Sequence, residues 1–168
     1  MNPYFQRLQE AIESATRNMT VAELSRCPAE GKWSAAEILE HLSLTYTGTV
    51  KNLERSLAAG RPLGGAPTLM QRFVSSLVVD FGYLPKERKS PEAAKPKGMP
   101  AENILGEINN RIAQLDDLIQ QCESKFGKRS CVANHPILGP FTMQQWRKFH
   151  WVHGRHHVKQ IERMRKTS

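Results

Sequence analysis

Histidines crowd into the C-terminal part of the chain. Four of the six histidines lie within about two helical turns of one another. At 100° per residue, His153 and His157 lie about 40° apart around a helix and one turn apart along it, and His150 lies about 60° from His153. The apolar Ile161 shares this side, whereas His156 points to the flank. The pattern therefore predicts three histidines that face the core.

An inward pair of histidines at i and i+4 is the arrangement that two metal ligands on one helix require, because their Cβ atoms lie about 6 Å apart. A third ligand must come from another helix, and His41, on the apolar side of its own helical segment, is the candidate. Two other interpretations stay open: hydrogen-bonded core histidines, and a pH-sensitive histidine patch. We expect His135 to cap or pack within its loop.

The chain has helical periodicity almost throughout, and two capping boxes, Thr20 with Glu23 and Ser34 with Glu37, mark helix starts. Residues 84–100 hold four prolines and five basic side chains, which is typical of a long crossover between parallel helices. The sequence predicts one all-α domain over residues 1–168, a four-helix bundle with a long crossover and one extra short helix. Helical segments are expected at about 3–19, 34–59, 68–83, 100–122 and 143–165, with loops at 84–100 and 125–140.

Composition narrows the class of protein. The chain has 168 residues and a net charge of +8, with no apolar run long enough for a transmembrane helix, so we expect no membrane partner. The net positive charge raises the prior for a nucleic-acid partner. The sequence contains no helix-turn-helix, zinc-finger or RNA-binding motif, however, which disfavours nucleic acid as a partner. The N-terminus has no secretion-signal pattern, and the cysteines form no CxxC pair, which together favour the cytoplasm. We expect Cys27, Cys122 and Cys131 to be inert.

Two motifs make the chain similar to a known family. Residues 33–42, WSAAEILEHL, resemble the W-S-x-x-E-x-x-x-H-L signature of the DinB/YfiT-like superfamily of metal-dependent enzymes, many of them uncharacterised. Residues 153–161, HGRHHVKQI, resemble its H-x-x-x-H-x-x-Q-I signature, and the preceding HPILGPFTMQQW is similar to its DinB-like branch. The motifs stand in the family's order, near opposite ends of the chain.

This resemblance implies a four-helix bundle that holds a divalent metal through His41, His153 and His157. Gln160 matches the motif's glutamine and is expected beside the ligands, whereas His150 lies outside the motif and is a candidate proton carrier or supporting group. Characterised relatives include S-transferases and isomerases that depend on bacillithiol, mycothiol or glutathione. The resemblance therefore favours a low-molecular-weight thiol and a small electrophile as partners; a homodimer stays open.

Three neutral imidazoles leave an open coordination position on Zn²⁺ or Ni²⁺. A thiol in that position could attack an electrophilic carbon, and water could hydrolyse an ester or amide. The family resemblance favours the first reaction, a thiol-dependent transfer or isomerisation. A metal-dependent hydrolase and a non-enzymatic protein that binds metal or nucleic acid stay open as alternatives.

Overall fold

The computed structural model describes residues 1–80, Gly82 and residues 90–166. Within these residues the chain is mostly helical, with one small two-stranded antiparallel sheet and one 3₁₀ turn, so the predicted fold class is confirmed. The elements are α1 (Pro3–Thr16), α2 (Val21–Ser25), α3 (Ala35–Ala58), α4 (Leu69–Val79), the 3₁₀ turn (Glu92–Ala94), α5 (Ala101–Phe126), β1 (Cys131–His135), β2 (Gly139–Thr142) and α6 (Met143–Lys166).

Both predicted capping boxes are present. The Ser34 hydroxyl accepts from the Glu37 backbone N–H, and the Glu37 carboxylate accepts from the Ser34 N–H at 2.7 Å. Thr20 and Glu23 repeat this exchange at the start of α2. Each cap satisfies backbone donors that the first helical turn leaves without a partner, a contribution of about 1 kcal/mol. The cap therefore fixes the first turn of α3 locally, and His41 lies further along the same helix.

Two hydrogen bonds show that α3 and α5 run parallel. Ser43 pairs with Glu107 near the start of both helices, and Lys125 donates to the Leu57 carbonyl near their ends. A chain that leaves one helix at its end and begins a parallel neighbour must return along the bundle. The crossover predicted between them is the connection that this geometry requires.

The other long helices form a second parallel pair. The rings of Phe5 and His150 lie 6.5 Å apart, and further along both helices Arg165 donates to the Ala15 carbonyl, so α1 and α6 run side by side. Contacts from α3 to α6 run in the opposite sense, because Thr49 meets His150 whereas His41, earlier in α3, meets a later part of α6. The bundle therefore consists of two parallel pairs packed antiparallel to each other.

A glycine sets the separation of α1 and α6. A Cβ built on Gly154 would lie 2.4 Å from a methyl carbon of Leu8 and 3.1 Å from the Tyr46 hydroxyl. No side chain larger than hydrogen fits there without moving its neighbours. The close approach brings the histidine-rich face of α6 against the core.

The structure corrects two boundaries. Helix α1 ends at Thr16 and not at residue 19, because the chain turns at Asn18, which has a φ of 63°. The segment 125–140, expected to be a loop, contains most of a β-hairpin whose strands bury Val132 and Phe141. Both strands are too short for alternation to be recognised, and Gly139 and Pro140 interrupt the second.

Parts of two predicted segments lie outside the described residues. The first part comprises three of the five basic side chains of the crossover, Lys86, Arg88 and Lys89. The second is at the C-terminal end of the helical segment predicted at 68–83, whose earlier residues form α4. In the part of the chain that is described, no helix is both long and apolar enough to cross a membrane.

Candidate metal centre

Three histidines from two helices converge near one end of the bundle. His41 projects from α3, and His153 and His157 project from successive turns of α6. The Nε2 atom of His153 lies 3.4 Å from Nε2 of His41 and 3.1 Å from Nε2 of His157. One ring nitrogen from each histidine lies within 4.8 Å of those of the other two. The three imidazoles come together because His153 and His157 are one turn apart on α6 and because α3 packs antiparallel against α6.

The outer ring nitrogens set the direction of two of these imidazoles. His41 Nδ1 lies 2.7 Å from the Ala94 carbonyl oxygen, and His157 Nδ1 lies 2.9 Å from Oε1 of Gln160. A carbonyl oxygen only accepts, so in each pair the ring nitrogen donates. Neutral His41 and His157 therefore carry their proton on Nδ1 and direct the Nε2 lone pair into the cluster.

His153 is held by packing. Its ring stacks on Phe149 at 5.6 Å with an interplanar angle of 13°, and its buried Nδ1 has no hydrogen-bond partner among the described residues. A neutral His153 has one ring proton, so it can donate to at most one of the two neighbouring Nε2 atoms. Within the described part of the chain, at least one inward lone pair of the cluster is thus left without a hydrogen-bond donor.

The two nitrogen separations from His153 fit a tetrahedral metal ion. Three nitrogens bonded to one ion at about 2.0–2.1 Å, with tetrahedral angles, lie about 3.3 Å apart. The separations measured from His153, 3.1 and 3.4 Å, bracket that value. Burial lowers the pKa of all three histidines, that of His157 to about 4, which favours the neutral form that binds metal.

The sequence profile of the DinB superfamily matches residues 4–161. The chain belongs to the DinB superfamily. The predicted family resemblance is thereby confirmed over nearly the whole chain.

A solved structure is similar to the chain as well. YfiT from Bacillus subtilis, a probable metal-dependent hydrolase with an unusual four-helix bundle topology, superposes with a TM-score of 0.59 at 17% sequence identity. The match covers 98% of this chain and 85% of YfiT. At this identity the likeness concerns the fold. No curated protein sequence matches the chain.

Gln160, the residue that matches the motif's glutamine, contacts two histidines of α6. Its Oε1 accepts from His157, and its amide nitrogen lies 3.2 Å from Nε2 of His156. Through Gln160, His156 is connected to His157 without belonging to the three-histidine group. The prediction that His156 lies on the flank agrees with its half-buried position.

His150 occupies a separate position in the core. It is fully buried, its Nε2 lies 3.1 Å from the Thr49 hydroxyl, and its ring stacks on Trp146. Burial lowers its pKa to about 3. The structure therefore places His150 inward, as predicted, but outside the three-histidine group.

The other candidates lie apart from the cluster. His135 belongs to the hairpin, where its Nδ1 accepts from the backbone N–H groups of Ile137 and Leu138. Among the described residues, neither a cysteine nor a carboxylate joins the three imidazoles. Cys27 is exposed, Cys122 is buried and Cys131 is half-buried.

Sequence reasoning missed the groups that support His41. The Trp33 ring lies 5.1 Å from the His41 ring, and the Ala94 carbonyl, from the crossover, fixes the tautomer. The sequence offered one signal, because Glu40 immediately precedes His41 and a carboxylate on a buried helix surface needs hydrogen-bond donors that compensate for its burial. Only the fold identifies those donors.

Proposed function

We propose that this chain is a divalent-metal-dependent enzyme whose ion is held by His41, His153 and His157. The observation that carries the proposal is the convergence of one ring nitrogen from each of the three histidines, with both separations from His153 close to those that a tetrahedral ion would impose. Two of the rings are already oriented by their outer nitrogens, which is the support that metal-binding histidines usually have. An all-nitrogen set of neutral imidazoles suits Zn²⁺ or Ni²⁺.

When bound, such an ion keeps its full positive charge and lowers the pKa of a thiol or water in its open coordination position. The chain's own residues would orient this site. His41 and His157 hold their Nε2 atoms inward, Gln160 fixes the His157 ring, and Phe149 fixes the plane of His153.

The reaction class we propose is thiol-dependent transfer or isomerisation of a small electrophile. Because no cysteine of the described residues belongs to the cluster, the sulfur would come from a low-molecular-weight thiol. A free thiol with a pKa of about 8.5 is mostly protonated at neutral pH, so an adjacent divalent ion would supply the reactive thiolate. Hydrolysis is the second candidate, and the likeness of the fold to YfiT, a probable metal-dependent hydrolase, favours it.

A parallel activity screen tests the proposal. Metal-loaded and metal-stripped protein are assayed with bacillithiol, mycothiol, glutathione and cysteine against a panel of electrophiles, and without thiol against esters and amides. We expect a thiol-dependent rate that requires the metal, disappears in His41→Ala and survives replacement of all three cysteines. Metal-dependent ester or amide hydrolysis with no thiol-dependent rate would replace transfer with hydrolysis. Neither activity, together with tight binding of duplex DNA at physiological salt, would contradict the enzyme proposal.

His150 can be tested as a proton carrier in the same assay. The Thr49 hydroxyl lies 3.1 Å from its Nε2 and is one group with which it could exchange a proton. We expect His150→Gln to retain the metal and to slow turnover if His150 carries a proton. An unchanged rate with the metal retained would make His150 a packing residue.

A further inference from the structure

A buried carboxylate on α3 holds the crossover. Glu40 is 4% exposed, and its carboxylate accepts three backbone N–H groups from consecutive residues: Lys97 at 2.8 Å, Gly98 at 3.1 Å and Met99 at 3.0 Å. Hydrogen bonds to a charged group are the strong ones, and a buried carboxylate without them would be costly. Glu40 therefore fixes the path of the chain as it approaches α5.

The next residue on α3 grips the same segment. His41 donates from Nδ1 to the Ala94 carbonyl, at the end of the 3₁₀ turn. Glu40 and His41 thus hold the two ends of one short stretch, residues 94–99, which we call the docked segment. Only the contact made by His41 reaches the histidine cluster, because the proton on Nδ1 is what leaves the Nε2 lone pair free for the cluster.

The two contacts depend on each other through the chain. If Glu40 releases the backbone of residues 97–99, the Ala94 carbonyl a few residues earlier is no longer held in place. His41 would then lose the acceptor that fixes both its tautomer and the direction of its ring. A ligand whose outer nitrogen loses its partner typically binds metal 10- to 100-fold more weakly.

We propose that Glu40 is a positioning residue for the metal ligand His41, acting through the docked segment, so that metal binding and docking of that segment stabilise each other. This inference rests on the proposed three-histidine metal site. Thermodynamic linkage makes the coupling reciprocal. If docking of the segment raises the metal affinity by some factor, metal binding raises the equilibrium constant for docking by the same factor. If the carboxylate only anchored the chain, its substitution would change the stability of the protein and leave the metal affinity unchanged.

Asp116 offers a matched control. It is a buried carboxylate of similar exposure, 3%, and it also accepts a backbone N–H, that of Asn2, at 2.9 Å. It lies on α5 beside Arg147, away from the imidazoles. Asp116→Asn therefore also removes a buried carboxylate that accepts a backbone N–H, without touching the docked segment.

The experiment measures Zn²⁺ affinity by competition with a chromophoric chelator in the wild type, Glu40→Gln and Asp116→Asn. The amide nitrogen of glutamine cannot accept a hydrogen bond, so Glu40→Gln leaves at least one of the three N–H groups without its acceptor. We expect Glu40→Gln to weaken Zn²⁺ binding about tenfold and Asp116→Asn to leave it unchanged. Equal Zn²⁺ affinity in Glu40→Gln and the wild type, or equal losses in both variants, would overturn the proposal.

Hydrogen exchange in the wild type provides a readout that needs no variant. Zn²⁺ is expected to slow exchange of the Lys97, Gly98 and Met99 amides more than that of the Asn2 amide, which Asp116 holds. Equal changes at both places would overturn the coupling while leaving the metal site intact. A wild-type protein that binds no Zn²⁺ would overturn the proposed function and this inference with it.

Discussion

Two polar clusters of the described residues differ in the kinds of group that face each other. The first, the charge cluster, consists of Asp116, Glu123 and Arg147. Arg147 lies 2.6 Å from Glu123, and its Nε lies 3.9 Å from Asp116, so opposite charges face each other. The second is the histidine cluster of His41, His153 and His157, in which like nitrogens face each other.

The difference teaches how to separate structural from chemical polar groups. Asp116 also accepts the Asn2 N–H and a Gln120 amide hydrogen, so the charge cluster ties α1 and α5 to α6 with groups that this chain supplies. In the histidine cluster, three side chains of the described residues bring nitrogen lone pairs together, and such a set of ligand atoms binds a cation. Opposite charges that face each other therefore indicate a structural contact, whereas ligand atoms of one kind that face each other indicate what the protein binds.

The largest expected effect is loss of the ion from the histidine cluster. His41→Ala and His157→Ala each remove one of three ligands, so we expect protein purified without chelator to fall from about one divalent ion per chain to a small fraction of that. His156→Ala is the matched control, because His156 contacts Gln160 and belongs to no part of the three-nitrogen group. Elemental analysis of the purified variants measures the metal content directly. Equal metal content in all three variants would remove the ligand assignment.

The second-largest expected effect concerns the charge cluster. We expect it to change the free energy of unfolding and to leave the metal content unchanged. Arg147→Met leaves the buried Asp116 and the half-buried Glu123 without their cation, and breaking a buried pair on one side costs about 3–5 kcal/mol. We expect chemical denaturation to show a loss of that order while the metal content per folded chain stays at the wild-type value. Arg155→Met, which removes only a contact with the Trp151 ring, should cost less than about 1 kcal/mol. A loss of metal in Arg147→Met would show that the two clusters are not independent.

Local signals made the helical framework predictable. Thr20, Ser34 and Thr142 each cap the start of a helix in the structure, and each is recognisable from a residue three positions later that returns the hydrogen bond. Helical spacing alone placed His153 and His157 on one face, since i and i+4 leave little freedom. The apolar side of its own helical segment made His41 the candidate third ligand, and the family resemblance supported that pairing, because no local rule brings α3 against α6.

The remainder depends on contacts between distant parts of the chain. The Ala94 carbonyl that orients His41 comes from a segment that has no regular pattern, and a backbone oxygen leaves no mark in the sequence. The hairpin escaped detection because its short strands are stabilised from outside, for example by the Ser56 hydroxyl of α3, which donates to the Val132 carbonyl. Arg147, on a helix rich in basic residues, could not be distinguished as buried until α5 was placed against it.

The smallest expected effect separates a buried histidine with partners from the histidine cluster. Burial lowers the pKa of His135 from 6.5 to about 4, and its Nδ1 already accepts two backbone N–H groups that a protonated ring would repel. The folded pKa is below the unfolded one, so the stabilisation is complete above pH 6.5 and is lost as the pH falls from 6.5 towards 4. Between pH 7 and pH 5 this residue should cost the folded state about 2 kcal/mol.

His135→Asn tests that sign, because the asparagine Oδ1 can accept the same N–H groups and does not titrate. We expect chemical denaturation at pH 7 and pH 5 to show a smaller acid-induced loss in His135→Asn than in the wild type, by about 2 kcal/mol. Its metal content at pH 7 should match the wild type, since His135 contributes no nitrogen to the group. An unchanged pH dependence would mean that the hairpin opens and solvates His135 before it is protonated; a loss of metal would place His135 functionally with the histidine cluster.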